Sequence, residues 1–149
     1  MKIDLEKIFF SIFISVLTTN AFSAVDSSSF KVKFDRISVY DDGDPGPHGA
    51  GEITFYISLN GRKVFNKYKK VSDRGNNIVL LNFSKEIRIS GNSRLNIRAC
   101  AIENDKWLMG QNCLGNASHH KLSISGSYTL RCRGDFGFDL HYRIDKISK

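Results

Sequence analysis

Residues 53–70 read I-T-F-Y-I-S-L-N-G-R-K-V-F-N-K-Y-K-K. Ile53, Phe55, Ile57 and Leu59 fall at every second place, the period of a strand with one buried face. Asn60-Gly61 follows, a pair that tolerates the positive φ angles of a two-residue hairpin turn. Lys63 to Lys70 then returns from the turn. The stretch reads as an antiparallel hairpin, and the chain around it repeats the pattern.

Upstream, Phe30 to Tyr40 alternates through Phe34 and changes phase near Arg36-Ile37, as a bulge would require. Downstream, residues 73–77 (D-R-G-N-N) form a loop. Ile78 to Ile89 is extended and interrupted around Ser84-Lys85. Gly91-Asn92 turns the chain into Arg94 to Ile102, where Leu95, Ile97, Ala99 and Ala101 share a face. Lys121 to Ser125, Tyr128 to Arg133 and Phe138 to Ile144 complete the set. No helical stripe follows the N-terminal segment. About eight short strands at regular spacing predict an all-β fold, an eight-stranded antiparallel sandwich.

Ile8 to Leu17 (I-F-F-S-I-F-I-S-V-L) is apolar but short for a bilayer span. Ala21-Phe22-Ser23 places small residues where signal peptidase reads, so residues 1–23 are expected to be a cleaved signal peptide and 24–149 the domain. A buried N-terminal helix or a retained anchor is the alternative. Cleavage removes Lys2 and Lys7 with Asp4 and Glu6, so the formal charge stays at +7. The expected location is secreted or periplasmic, with no transmembrane segment after cleavage. Cys100, Cys113 and Cys132 fit an oxidising compartment and allow one bridge with a spare thiol. The absence of C-x-x-C counts against structural zinc and thioredoxin-like chemistry.

If every connection reverses direction, strands one, three, five and seven end at one pole. Their loops, 41–51, 71–77, 103–116 and 134–137, carry Asp41, Asp42, Asp44, Asp73, Glu103, Asp105 and Asp135. Residues 40–52 (Y-D-D-G-D-P-G-P-H-G-A-G-E) are the densest of these. Carboxylates that repel one another are costly to hold together unless a cation lies between them, and flexible oxygen-rich loops suit calcium. A solvated acidic turn without an ion is the other reading of the same residues. An EF-hand is excluded. Asp41, Gly46 and Glu52 fit its positions 1, 6 and 12, but Gly43 and Pro45 fall on ligand positions and strands flank the loop.

The run Asp41-Asp42-Gly43-Asp44-Pro45 to Gly49-Ala50-Gly51-Glu52, leading into the alternating strand and Asn60-Gly61, resembles small bacterial secreted C2-like domains. Ala101-Ile102-Glu103-Asn104-Asp105 and Leu114-Gly115 add to the resemblance. It implies a calcium-binding sandwich with ligands Asp41, Asp42, Asp44, Glu103 and Asp105. By position alone, Glu52 at the border of the first acidic loop and Asp135 in a third loop of the same pole are additional candidates. One departure stands out: Gln111-Asn112-Cys113 occupies the place of further acids before Leu-Gly.

Other motifs weigh less. Asp135 also belongs to Arg133-Gly134-Asp135, an integrin tripeptide that reads more simply as a tight turn. His119 and His120 face opposite ways on a strand and cannot share a metal, while His48 sits among hard oxygen ligands. No Gly-x-Ser-x-Gly or apolar pocket for a catalytic acid is evident, so no enzyme is expected. Arg62, Lys63, Lys67, Lys69 and Lys70, with Phe65 and Tyr68, offer an anionic-surface contact or simply guard an edge strand. Export makes nucleic acid an unexpected ligand. A Cys100–Cys113 bridge, with Cys132 as the alternative partner, would pin the loop carrying Glu103 and Asp105. The sequence is thus read as a secreted calcium-binding module for a partner or anionic surface. The competing reading is a calcium-independent interaction protein, such as an inhibitor or a toxin-associated subunit.

Overall fold

The computed structural model describes residues 27–41, 51–71, 77–104, 112–120, 125–134 and 137–147, with the backbone alone at 41, 103, 112–118 and 120. These residues form eight strands: β1 (Ser27–Asp41), β2 (Gly51–Leu59), β3 (Arg62–Val71), β4 (Asn77–Ser90), β5 (Arg94–Glu103), β6 (Asn112–His120), β7 (Gly126–Gly134) and β8 (Gly137–Ile147). All ladders are antiparallel, in the order β3-β2-β5-β6-β7-β8-β1-β4.

Between β6 and β7 the ladder narrows to two pairs, Cys113 with Gly134 and Leu114 with Arg133. At this seam the sheet folds over into two four-stranded layers. Two ring contacts join strands that are far apart in the ladder order. Phe55 on β2 meets Phe138 on β8 edge to face at 5.3 Å, and Phe65 on β3 stacks on Phe83 of β4 at 5.5 Å. The core lies between the layers. Ile53, Phe55, Ile57 and Leu59 are buried on one side, and Phe30, Val32, Phe34, Phe138 and Leu140 on the other. Burying each such side chain is worth about 1.5–3 kcal/mol, which is why period-two alternation decides which face turns inward.

The hairpin forms as its sequence predicts. Asn60 and Gly61 have φ angles of 45° and 80°, and the Asn60 side chain accepts a 2.8 Å bond from the Asn96 amide. The bulge is also where the phase change predicts it. Register slips between Phe34 and Arg36 on both sides of β1, so Phe34 and Ile37 are both buried although three residues apart.

Two expectations are corrected. The irregularity of β4 lies at Leu81–Asn82, not at Ser84-Lys85. Phe34 pairs with Phe83 and Arg36 with Leu80, so β4 must accommodate the bulge there, and Asn82 takes a φ of 46°. The sixth strand is placed at Asn112–His120, ahead of the expected 121–125, of which residues 121–124 lie outside those described. Its Gly115-Asn116-Ala117-Ser118 stretch has poor β propensity, and pairing along β5 from Ile102–Asn112 to Arg94–His120 overrides it.

Beyond its two backbone pairs the β6–β7 seam is bridged by side chains. His119 sits edge-on to Tyr128 at 4.4 Å, and its Nε2 lies 2.8 Å from the Tyr142 hydroxyl. Burial pushes Tyr142 well above the ordinary phenol range, so the hydroxyl stays protonated and can donate to a neutral imidazole. Burial likewise lowers His119, and burial followed by the Arg36 charge lowers His141. A histidine with a depressed folded pKa stabilises the fold above its unfolded value near 6.5, and that contribution is lost as pH falls below it. The melting temperature is therefore expected to decline from pH 7.5 to pH 5, with a shallower decline in His119→Gln. Melts across that range check this. An equal slope in the variant would remove His119 from the account.

Candidate functional site

The ladder directions place the ends of β1, β3, β5 and β7 at one pole, facing the starts of β2, β4, β6 and β8. The registers agree: Ile53 pairs with Glu103, Gly51 with Val71, Val39 with Asn77, and Asp41 with Gly137. Asp41 and Glu103 close β1 and β5 at this pole. Asp42, Asp44, Asp73, Asp105 and Asp135 lie outside the described residues, in connections whose two ends both reach it. The topology thus brings together the chain ends that carry the acids. Among the described residues, no group of three His, Cys, Asp or Glu side chains is arranged to hold a metal.

The rim of the pole is tied down by specific contacts. The Asn104 amide donates to the Glu52 carbonyl at 2.7 Å, and its side-chain amide donates to Thr54 Oγ1, fixing where the connection after β5 departs. The Tyr40 hydroxyl donates to the Cys132 carbonyl at 3.1 Å, and the Arg133 guanidinium lies 5.3 Å from the Tyr40 ring centroid. The Tyr40 ring lies over Gly137, where a Cβ would sit 2.7 Å from Cζ. Gly137→Ala is therefore expected to cost about 1–3 kcal/mol through displacement of that ring. Chemical denaturation measures it, and a neutral result would show that Tyr40 yields freely.

Glu52 is held in an ion pair. It faces Lys70 across the β2–β3 ladder and pairs with its ammonium at 2.9 Å. Hydrogen bonding to Glu52 is the main cause that raises Lys70; Tyr68 is raised by desolvation first, then by its bond to the same carboxylate. Ligation of an ion by Glu52 would exchange this pair.

The five basic candidates do not form one face. β3 is an edge strand, and on it Lys67 and Lys69 stand opposite the buried Phe55 and Ile53. They point along the core side of the edge, where an exposed charge opposes strand addition. Arg62 sits beside the turn, opposite Leu59. Lys63 lies on the outer face with its ammonium 4.8 Å from the Tyr56 ring centroid. An open groove of about 340 Å³ runs beside it, lined by Tyr56, Ser58, Lys63, Arg98, Cys100 and Ile102. This groove was not legible in the sequence, because Arg98 and Lys63 are 35 positions apart and meet only through the β2–β5 pairing.

Cys100 is part-exposed on that outer face, whereas Cys132 is buried. Cys113 pairs through its backbone with Ala101 and Gly134, and its side chain lies outside those described. His119 is half-buried. No helix among the described residues is long and apolar enough to cross a membrane.

No family model matches the chain, and no curated protein matches it. Among solved structures it is similar to a C2 domain protein from Ramazzottius varieornatus, at 11% identity and a TM-score of 0.46, covering 83% of this chain and 91% of that one. It is similar also to a C2 domain of plant Extended Synaptotagmin 1, at 14% identity and a TM-score of 0.46, covering 82% and 97%. Human GIVD cytosolic phospholipase A2 gives 10% identity and a TM-score of 0.49, and there the chain spans 18% of that protein's length. The sandwich itself rests on the registers and ring contacts described above.

Proposed function

We propose that this chain is a secreted calcium-binding β-sandwich module that docks to a partner or anionic surface, and that its work is binding rather than catalysis. The observation that supports this is the common direction of β1, β3, β5 and β7, whose ends share one pole. Asp41, Asp42 and Asp44 from the first connection and Glu103 and Asp105 from the third are the ligand set, with Asp135 and Glu52 as additional donors. Such carboxylates satisfy the six to eight oxygen positions that calcium takes. The bound ion neutralises the acids, orders their connections, and leaves coordination positions for an anionic group. Lys63, Lys70 and Arg98 add attraction toward an anionic surface. A bridge from Cys113 to Cys132, whose register positions share the core-facing side of the seam, fits better than one to Cys100 on the outer face, and it limits the entropy lost when the Glu103–Asp105 connection orders. Residues 1–23 direct export and are removed.

The experiment is a thermal melt of the oxidised mature chain with calcium and then with excess chelator, repeated on Asp42→Asn plus Asp44→Asn. A second reading, a calcium-independent interaction protein, draws on the Glu52–Lys70 pair. That pair shows one polar carboxylate already neutralised by the chain's own base. Indifference of the melt to chelator would favour it.

A further inference from the structure

The two edges of the folded sheet differ in their protection. β3 carries Lys67 and Lys69 on its core side and a register slip at Ile57/Ser58, two devices that resist strand addition. The second half of β4 has an equivalent guard, since Lys85 is exposed and stands opposite the fully buried Val32. The first half of β4 carries no such charge, and its irregularity at Leu81–Asn82 bounds the regular stretch that begins at Asn77. From Asn77 to Phe83 it reads N-I-V-L-L-N-F, with no charge. Ile78 and Leu80 are 57% and 68% exposed on the outer face, the two most exposed large hydrophobic residues among those described. No ladder among the described residues covers the outer side of β4.

We propose that Asn77–Leu81 of β4 is a self-association edge, at which two copies of this chain pair as antiparallel strands about a two-fold axis at Val79. The segment is self-complementary. Antiparallel pairing about Val79 sets Ile78 of each copy opposite Leu80 of the other, on one face, and leaves Val79 in the core of its own sandwich. β1 supplies Ser38 beside Ile78 and Arg36 beside Leu80, so each apolar pair is flanked by polar groups that seal it from water. The Arg36 side chains of the two copies stand three strand spacings apart, about 14 Å, beyond a Debye length of about 8 Å in physiological salt. Two copies that each carry +7 therefore meet at a stretch without charge.

The same features set the stoichiometry and the strength. An isologous contact consumes the β4 edge of both copies, and the guarded β3 edge does not propagate it, so association closes at two. Pairing over five residues buries less than the roughly 1,200–2,000 Å² of a stable interface, so the dimer is weak and dependent on concentration.

Sedimentation velocity of the purified chain across a concentration series tests this, alongside Leu80→Lys, which places a charge at the dyad without disturbing a buried side chain. The weight-average mass of the native chain is expected to rise toward twice the monomer at high micromolar concentration. Leu80→Lys is expected to hold at the monomer with an unchanged melting temperature. Hydrogen exchange should slow at 78–81 as concentration rises, and not at 63–70. A native chain that stays monomeric throughout, or a variant that associates equally well, overturns the proposal. Protection appearing at β3 instead of β4 also overturns it.

Discussion

Millimolar calcium is expected to raise the melting temperature of the oxidised mature chain, and excess chelator to return it. The size follows from mass action. An extracellular module binds calcium with a Kd on the order of 10⁻⁴–10⁻³ M, so several millimolar calcium stabilises the folded state by about 1–2 kcal/mol. In a domain of this length that is on the order of 5–10 °C. Asp42→Asn with Asp44→Asn removes two charges from the first connection and is expected to abolish the shift while leaving the chelated melt close to native. The carboxamides keep the size of the side chains and some hydrogen bonding, so a collapse of the fold is not the expected result. A melt that ignores both calcium and chelator would leave the sandwich standing and reassign the pole to a calcium-independent contact. A shift that survives the double variant would move the ion away from the first connection.

The largest effect on stability is expected at Phe55. Its ring is fully buried in the middle of β2 and meets Phe138 edge to face at 5.3 Å, joining the two layers at a point with no backbone ladder between them. Phe55→Ala removes the transfer free energy of the ring and leaves a cavity walled by two stiff sheets that cannot close over it. The cost is expected at about 3–5 kcal/mol, a large part of a typical domain stability of about 5–15 kcal/mol. Phe55→Leu should recover much of it. Denaturant titrations of both variants check this. A loss below about 1 kcal/mol for the alanine variant would mean that the layers are held together elsewhere, for example by the Phe65–Phe83 stack.

These two expectations draw on unequal amounts of sequence information. Phe55 is legible because Ile53, Phe55, Ile57 and Leu59 alternate without interruption and lead into Asn60-Gly61. The bulge at Arg36-Ile37 is legible for the same reason, since a change of phase in a period-two pattern has few physical causes. The common pole of the acidic connections follows from counting reversals. It survived the misplacement of the sixth strand because the count stayed at eight. β6 itself was not legible. Its Gly-Asn-Ala-Ser centre has no alternation, and only the ladder offered by β5 holds it extended.

The strands other than β6, the hairpin, the bulge and the common pole of the chain ends beside the acidic connections were determined by the sequence alone, because each depends on local periodicity, turn chemistry or chain direction. Pairings between residues distant in the chain were decided only by the tertiary structure. Glu52 meets Lys70, Lys63 and Arg98 flank one groove, Tyr40 covers Gly137, and His119 reaches Tyr142. The protection of each edge also waited on the fold. Lysines on β3 and the bare Ile78 and Leu80 on β4 acquire meaning only once the strand order shows that both strands are edges. The physical reason is that a strand carries its own two-fold period but not the register or the partner to which that period will be matched.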